Sequence, residues 1–245
     1  MKAYVWGRWK QNISLNETIS EWFMICWPAK WLYSAEVMSD CVTPEEALKE
    51  DDKIVTKSLW KLINEADIVV THNGDRFDIP KINSRFIVNG LNPPKPYFSV
   101  DTCKVAKKNF GFSSNKLDAL AGYFGFEHKL DTDFTLWEGC LKGDKDSLHY
   151  MVEYNKVDVI ILEDVYLKLL PWMVGNQHPN IGNFYNIETE MCSKCGYTSI
   201  SEIPDEYYYT TVNKYKVYRC NHCGAISRAR KCEPKKKVKN VNIGH

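Results

Sequence analysis

The sequence predicts an α/β fold, a mixed sheet covered by helices, followed by a small cysteine-rich unit. Three observations predict it. Runs rich in β-branched and aromatic residues open the chain, and strand-like and helix-like segments alternate after Thr43. Between Gly175 and Asn186 the composition turns to Gly, Asn and Pro, as in a linker, and two tight cysteine pairs follow. A chain of 245 residues, 44% apolar and 26% charged, has room for one ordinary globular domain and a small appendage.

Residues 3–9 and 21–27 read as strands from their β-branched and aromatic content. Thr43-Pro44-Glu45-Glu46 is a capping box with proline at the first helical position, so a helix starts there. Val55, Leu59, Leu62 and Ile63 recur at helical spacing, and residues 66–71 form the short apolar run of a strand buried on both faces. A helix follows Asp78-Ile79-Pro80, carries Ile79, Ile82, Phe86 and Ile87, and ends at Asn89-Gly90. Residues 97–100 make another strand, and Asp101-Thr102 caps the next helix. A short helix covers residues 117–124, and the longest runs over residues 147–170 and stops at Pro171. Trp22, Trp27, Trp60 and Trp172 fall in or beside these elements and are expected in the core, not as base-stacking platforms.

The net charge of +1 hides an asymmetry. Of 32 Lys+Arg and 31 Asp+Glu, the segment from Ile187 onward holds 11 and 6, leaving 21 and 25 in the body. A basic end on a mildly acidic body suits a nucleic-acid contact better than a membrane or an acidic metabolite, and a solvated tail is the alternative. The first ten residues lack the apolar core of a signal peptide, and no run reaches the length of a membrane span. Cys26, Cys41, Cys103, Cys140 and Cys232 are scattered and the other four cysteines are paired. That usage points to a reducing cytoplasm and a bound metal, not to disulfides.

Asp78 lies just beyond a strand, where ligands of α/β sheets gather; a plain helix cap is the alternative. Asp158 sits among apolar neighbours on a helix, where an aspartate is hard to desolvate unless a cation or strong donors meet it. Tyr154 is one turn earlier on the same helix face. The alternative there is a buried aspartate hydrogen-bonded to an amide or an arginine.

Asn73-x-x-x-Phe77-Asp78 after a strand, and Tyr154-x-x-x-Asp158 on a late helix, resemble the second and third motifs of the DEDDy 3′–5′ exonucleases. These are ribonuclease-H-like (DnaQ-like) enzymes that include the proofreading domains of DNA polymerases. The likeness spans residues 3–172, includes Val100-Asp101-Thr102 and Ser114-Asn115-Lys116-Leu117-Asp118, and is nearest to phage and bacterial stand-alone members. The histidine variant needs its histidine five before the last aspartate; Glu153 stands there and His149 is nine away, so Tyr154 marks the tyrosine type. The resemblance implies a ribonuclease-H-like fold and two magnesium or manganese ions on the scissile phosphate, one activating water and the other stabilising the leaving oxygen. It assigns Asp158 to the nucleophile-side cation, Asp78 to the second cation mostly through water, and Tyr154 to orienting the attacking water. It places Asn73 and Phe77 at the substrate.

The family's first motif, Asp-x-Glu on its opening strand, has no counterpart, because no aspartate here is followed two residues later by glutamate. Met1-Lys2-Ala3-Tyr4-Val5-Trp6 looks like the family's second strand, so the first strand is expected to be missing through a misplaced start or a split gene. Asp101 reads as a cap, not as a stand-in carboxylate. The expectation is a 3′–5′ exonuclease-like protein acting on nucleic-acid ends, single-stranded DNA favoured, inactive or weak as written. One alternative is a catalytically dead module that binds nucleic acid or a protein partner; another is an adaptor whose partner supplies the activity. Retention of Asn73, Asp78, Tyr154 and Asp158 favours the first. Partners implied are nucleic acid, a replication or recombination protein, or a separately encoded N-terminal fragment; the location implied is bacterial cytoplasm or a phage-infected cell.

Cys192-Ser193-Lys194-Cys195-Gly196 and Cys220-Asn221-His222-Cys223-Gly224 are two Cys-x-x-Cys-Gly knuckles. Four thiolates so paired complete a closed tetrahedral zinc shell, which is structural and leaves His222 a bystander. Alternation at Tyr207, Tyr209, Thr211 and then Tyr215, Val217 predicts a hairpin between the knuckles, as in a zinc ribbon. Arg228, Arg230, Lys231, Lys235, Lys236, Lys237 and Lys239 follow, either as phosphate contacts or as a solvated end. The expected domains are residues 1–174, a linker at 175–190, the ribbon at 191–232 and a basic tail at 233–245.

Overall fold

In the computed structural model, which describes residues 2–3, 18–126, 133–184 and 190–234, short paired strands alternate with helices in a mixed α/β arrangement. Strand β1 (Lys2–Ala3) pairs antiparallel with β2 (Thr18–Ser20), and β3 (Cys26–Ala29) antiparallel with β4 (Met38–Cys41). Strand β5 (Ile68–Thr71) runs parallel to β6 (Phe98–Asp101), with Thr71 opposite Asp101. Among the described residues, strands β1 to β6 thus form three two-stranded pieces.

Two strand readings change in detail. The strand expected over residues 21–27 is confined to its end, because the Met24 N–H is committed to the Asp52 carboxylate at 2.8 Å instead of a ladder. Strand β5 is half-buried along its length instead of enclosed on both faces. Of the strand expected at residues 3–9, all beyond Ala3 lies outside the described residues, as does the tail from residue 235.

Helix α1 (Pro44–Lys49) begins at the expected box: Glu46 N–H donates to Thr43 Oγ1 at 3.2 Å, and Thr43 N–H to Glu46 Oε2 at 2.8 Å. Helix α2 (Lys53–Glu65) buries Val55, Leu59 and Ile63, one stripe at four-residue spacing. With Met24, Val42, Ala47, Phe86, Cys140, Leu148 and Met151 they form the main core. Each large aliphatic side chain so buried stabilises the fold by about 1.5–3 kcal/mol. Helix α3 (Asp78–Val88) contributes Phe86, and α4 (Thr102–Asn109) buries Val105 and Ala106. Helix α5 (Leu117–Phe124) buries Leu117, Leu120 and Ala121. Helix α6 (Phe134–Leu141), which periodicity did not reveal, is started by Asp133, whose side chain accepts from Leu136 N–H at 3.1 Å. Helix α7 (Lys145–Leu169) tightens into a 3₁₀ turn over Leu170–Trp172, where Pro171 has no N–H to continue it.

Of the tryptophans read as core, Trp27 and Trp60 are half-buried and donate their indole N–H groups to Val55 O at 3.0 Å and Asn92 O at 2.6 Å. Trp172 does not follow the reading: it is 62% exposed, because it falls on the 3₁₀ turn beyond the apolar stripe of the helix.

The chain divides into two compact units, Met1–Tyr166 and Leu167–His245. The second contains one antiparallel sheet of β7 (Ile200–Tyr209), β8 (Lys214–Cys220) and β9 (Ile226–Arg228), in that order.

Asp52, 1% exposed, is the most heavily bonded buried charge of the first unit among the described residues. It accepts from Met24 N–H at 2.8 Å, from Arg85 Nε and Nη2 at 2.6 and 2.7 Å, and from Asn89 Nδ2 at 2.8 Å. Burial alone would raise its carboxyl, but the bidentate Arg85, the Met24 amide and Asn89 outweigh it and hold the carboxyl below the usual carboxylate range. A depressed folded value means that this stabilisation is present above about pH 4 and is lost as the pH falls through the folded value. Asp52→Asn should therefore destabilise the unit by about 3–5 kcal/mol near neutral pH, since Arg85 is left buried beside a neutral amide. In denaturant titrations the gap between the two proteins should narrow only below about pH 4. A pH-independent gap would show that the ion pair is not its source.

Candidate active site and metal centre

The carboxyl ends of β5 and β6 lie side by side, and the segment between β5 and α3 leaves from that edge. The segment is tightly folded. Asn73 has φ +63°, a left-handed conformation that asparagine tolerates better than most residues. A Cβ on Gly74 would lie 2.4 Å from the Thr71 side chain, so only glycine fits there. Ile79 N–H reaches back to Gly74 O at 2.9 Å and winds the chain into α3.

Asp101 fixes this turn. It is 4% exposed, and its Oδ1 accepts from Asn73 N–H at 2.8 Å and from Cys103 and Lys104 N–H at 3.0 and 3.3 Å. One carboxylate oxygen thus caps α4 and holds the β5–α3 turn. Asp75 adds a second tie, accepting from Ser99 Oγ at 2.5 Å and Lys104 Nζ at 2.7 Å. The His72 ring adds a third, between Thr102 Oγ1 at 2.8 Å and Asn115 O at 2.9 Å.

Asp78 is the first residue of α3, and Phe77 precedes it as the capping position with no side-chain cap bond. Asp78 is thus a first-turn residue one past the capping position. Its side chain lies near enough to Asp101, the last residue of β6, to feel that charge. Desolvation raises its carboxyl above the usual range, opposed by Lys81 and by a bond from its own backbone N–H, with Asp101 adding to the rise. Phe77 is 53% exposed, and Lys81 Nζ lies 3.8 Å from its ring centroid and 5.4 Å from that of Trp22. Sequence reasoning missed Lys81, and it read Trp22 as core with no part in the site, whereas Trp22 is half-buried with Lys81 over its ring. The spacing of Lys81, three residues after Asp78 and four after Phe77, was a usable signal; the arrival of Trp22 from a distant segment was not.

Tyr154 and Asp158 share a face of α7 at four-residue spacing. Tyr154 packs on the main core, and Asp158 is half-buried with one carboxylate oxygen out of reach of solvent. Cys192, Cys195, Cys220 and Cys223 are, among the described residues, the group of three or more His, Cys, Asp or Glu whose ligand atoms all lie within 4.8 Å. Asp78 and Asp158 belong to no such group among the described residues. Magnesium and manganese take about six oxygen ligands in octahedral array, so two carboxylates on separate helices do not make a site for a pair of them.

The cysteine cluster does fit a metal. Sulfur–sulfur separations are 3.7 Å for Cys192–Cys223 and 3.6 Å for Cys195–Cys220. A regular tetrahedron with zinc–sulfur bonds of about 2.3 Å has edges of about 3.8 Å. Amides of Lys194 and Cys223 point at Cys192 and Cys220 sulfurs at 3.4 and 3.5 Å, as suits thiolates. Burial pushes the Cys220 thiol up, but the backbone N–H groups of Cys223 and His222 outweigh it and leave it at about 7. Gly196 and Gly224 take φ of +76° and +78° to close the knuckles. His222 stacks on Tyr197 at 3.7 Å between ring centroids, outside the sulfur group.

Residues 35–170, more than half of the chain, match the family model described as the RNase H superfamily. The chain belongs to the RNase H superfamily. Over 168 residues it is also 29% identical to a protein named DNA polymerase III PolC-type from Ureaplasma parvum serovar 3. That alignment covers 65% of this chain and 11% of the polymerase, so the chain spans about a tenth of the relative's length. Superfamily membership supports a nuclease-like function, and the matched segment contains Asn73, Phe77, Asp78, Asp101, Tyr154 and Asp158.

Elemental analysis of the chain purified without chelator should find one zinc per molecule. Cys220→Ser should release it and abolish the β7–β9 sheet, while the unfolding transition of the first unit persists. This follows because, among the described residues, the buried cluster beside that sheet is Cys192, Cys220 and Ala225, too small to fold without its metal. Metal-free protein with a fully protected sheet would refute the assignment.

Proposed function

We propose that this chain is a 3′–5′ exonuclease-like protein of the DEDDy type that binds nucleic acid, single-stranded DNA by preference, and is inactive or weak on its own. The observation that carries the reading is Asp78: it opens α3 beyond the carboxyl edge of the parallel strands, one residue past the capping position, and keeps a carboxyl raised by burial and by Asp101. Tyr154 and Asp158 supply the matching pair on α7. The similarity to a DNA polymerase III PolC-type protein favours DNA as the substrate class.

In this reading Asp78 and Asp158 would supply two of the carboxylate ligands that magnesium or manganese needs for activating water, and Tyr154 would orient that water. The Asp-x-Glu pair that would fix both cations has no counterpart in these 245 residues, so no hydrolytic step is assigned to them alone. What they do is bind. Phe77 and Trp22 offer ring faces for a terminal base, and Lys81 between them offers a charge for its phosphate. A second reading, a binding module with no hydrolytic role, draws on the same short carboxylate count.

The chain as given should show little or no 3′–5′ degradation of an end-labelled single strand with magnesium or manganese. Grafting a strand that carries Asp-x-Glu ahead of it should bring degradation. In that protein Asp78→Asn or Asp158→Asn should abolish the activity, and Tyr154→Phe should slow it by about 10- to 1000-fold. Activity that survives Asp158→Asn would sink the exonuclease reading. Robust activity of the ungrafted chain, lost in Asp158→Asn, would show that another carboxylate completes the set.

A further inference from the structure

The three-stranded sheet of the second unit sorts its side chains onto two unlike faces. Register places Tyr208 opposite Tyr215, Arg219 opposite Ile226 and Ser201, and Val217 opposite Arg228. Side chains alternate along a strand, so Tyr215, Val217 and Arg219 share one face of β8, and Tyr208 and Arg228 join it from the neighbouring strands. Ring geometry agrees: the Arg228 guanidinium lies 4.2 Å from the Tyr215 centroid and 5.5 Å from that of Tyr208. Tyr208 is 51% exposed, and Arg219 and Arg228 are exposed as well. The one acid that alternation puts on this face is Glu206, two residues before Tyr208 and exposed. The opposite face holds Glu202, neutralised by Lys216 at 3.0 Å, together with Tyr207 and Lys214.

We propose that the Tyr208–Tyr215–Arg228 face is a docking surface for single-stranded nucleic acid. A base lies on the exposed ring of Tyr208, and the phosphates beside it meet Arg228 and Arg219. An arginine held flat against a tyrosine loses little freedom on binding, and its N–H edge stays open to a phosphate. A face with two arginines and stacking rings, against the single carboxylate of Glu206, complements a strand whose bases are unstacked and whose backbone is anionic. A duplex, with its base faces already covered, gains only the phosphate part. The proposal rests on the nucleic-acid reading above but on no catalytic step.

The test uses the full zinc-loaded chain in buffer without magnesium, manganese or chelator, and a fluorescein-labelled oligothymidylate followed by anisotropy. Tyr208→Ala should weaken binding by about 5- to 30-fold. Arg228→Glu should weaken it by about tenfold or more and flatten the log–log salt dependence by about 0.7 for each phosphate that Arg228 no longer neutralises. Lys214→Glu, the same charge change on the opposite face, should leave the affinity nearly unchanged. Zinc content checks each fold, and Tyr208→Ala, at the exposed end of the hairpin, stands if Arg228→Glu loses metal. Equal weakening by Lys214→Glu, no weakening by Tyr208→Ala, or a duplex bound as tightly as the single strand would each overturn the face while leaving the exonuclease reading intact. No binding by the unaltered chain would overturn the nucleic-acid reading itself.

Discussion

A carboxylate taken almost wholly out of water dictates how the first unit is assembled. Asp52 is 1% exposed, and a bare charge at that depth is unfavourable by several kcal/mol. Its compensation comes from two parts of the chain: the amide of Met24, and the guanidinium of Arg85 with the amide group of Asn89 at the end of α3. Meeting those donors brings the end of α3 against the start of α2 and keeps the segment before β3 out of the sheet. The apolar stripe of α2 then closes over Phe86, so the ion pair and the core fix the same arrangement. Helix α3 is held at this end by Asp52 and at the other by Asp101, and Asp78 is the residue that the second clamp positions.

How far this was legible depended on whether the signal was local. The capping box at Thr43, the helix over residues 117–124 and the two knuckles are each specified within a few residues, and each forms as read. The stop at Pro171 is equally local. What periodicity hid was set by distant partners. Residues 21–25 have strand composition, yet Met24 gives its N–H to Asp52, 28 positions away. Helix α6 has too mixed a face to announce itself and depends on Asp133 for its start.

The candidate site shows the same division. Asp101 was readable as a cap, and it is one, accepting from Cys103 and Lys104 N–H. Its hold on Asn73 across 28 residues was not readable, nor was its electrostatic pressure on Asp78. Local geometry gives a residue its first role, and only the pairing of β5 with β6 gives it the second. The two units also differ in what holds them. The first rests on a broad apolar core, whereas the buried cluster beside the β7–β9 sheet is Cys192, Cys220 and Ala225, so metal does there what hydrophobic burial does in the first.

This bears on why Asp78 is worth a functional account. An aspartate that caps a helix stabilises it by about 1 kcal/mol, and that suffices to explain its presence. Asp78 stands one residue past the cap; as a first-turn residue it gains the helix dipole, about 0.3–1 kcal/mol, and a bond from its own N–H, and burial works against that gain by raising its carboxyl. The turn before it is already held by Asp101 and Asp75, so its side chain is not needed to shape the loop. A partly desolvated carboxylate beside a second carboxylate is unfavourable to the fold alone, and a cation or a phosphate-bound ligand that offsets both charges is the physical reason to keep it there.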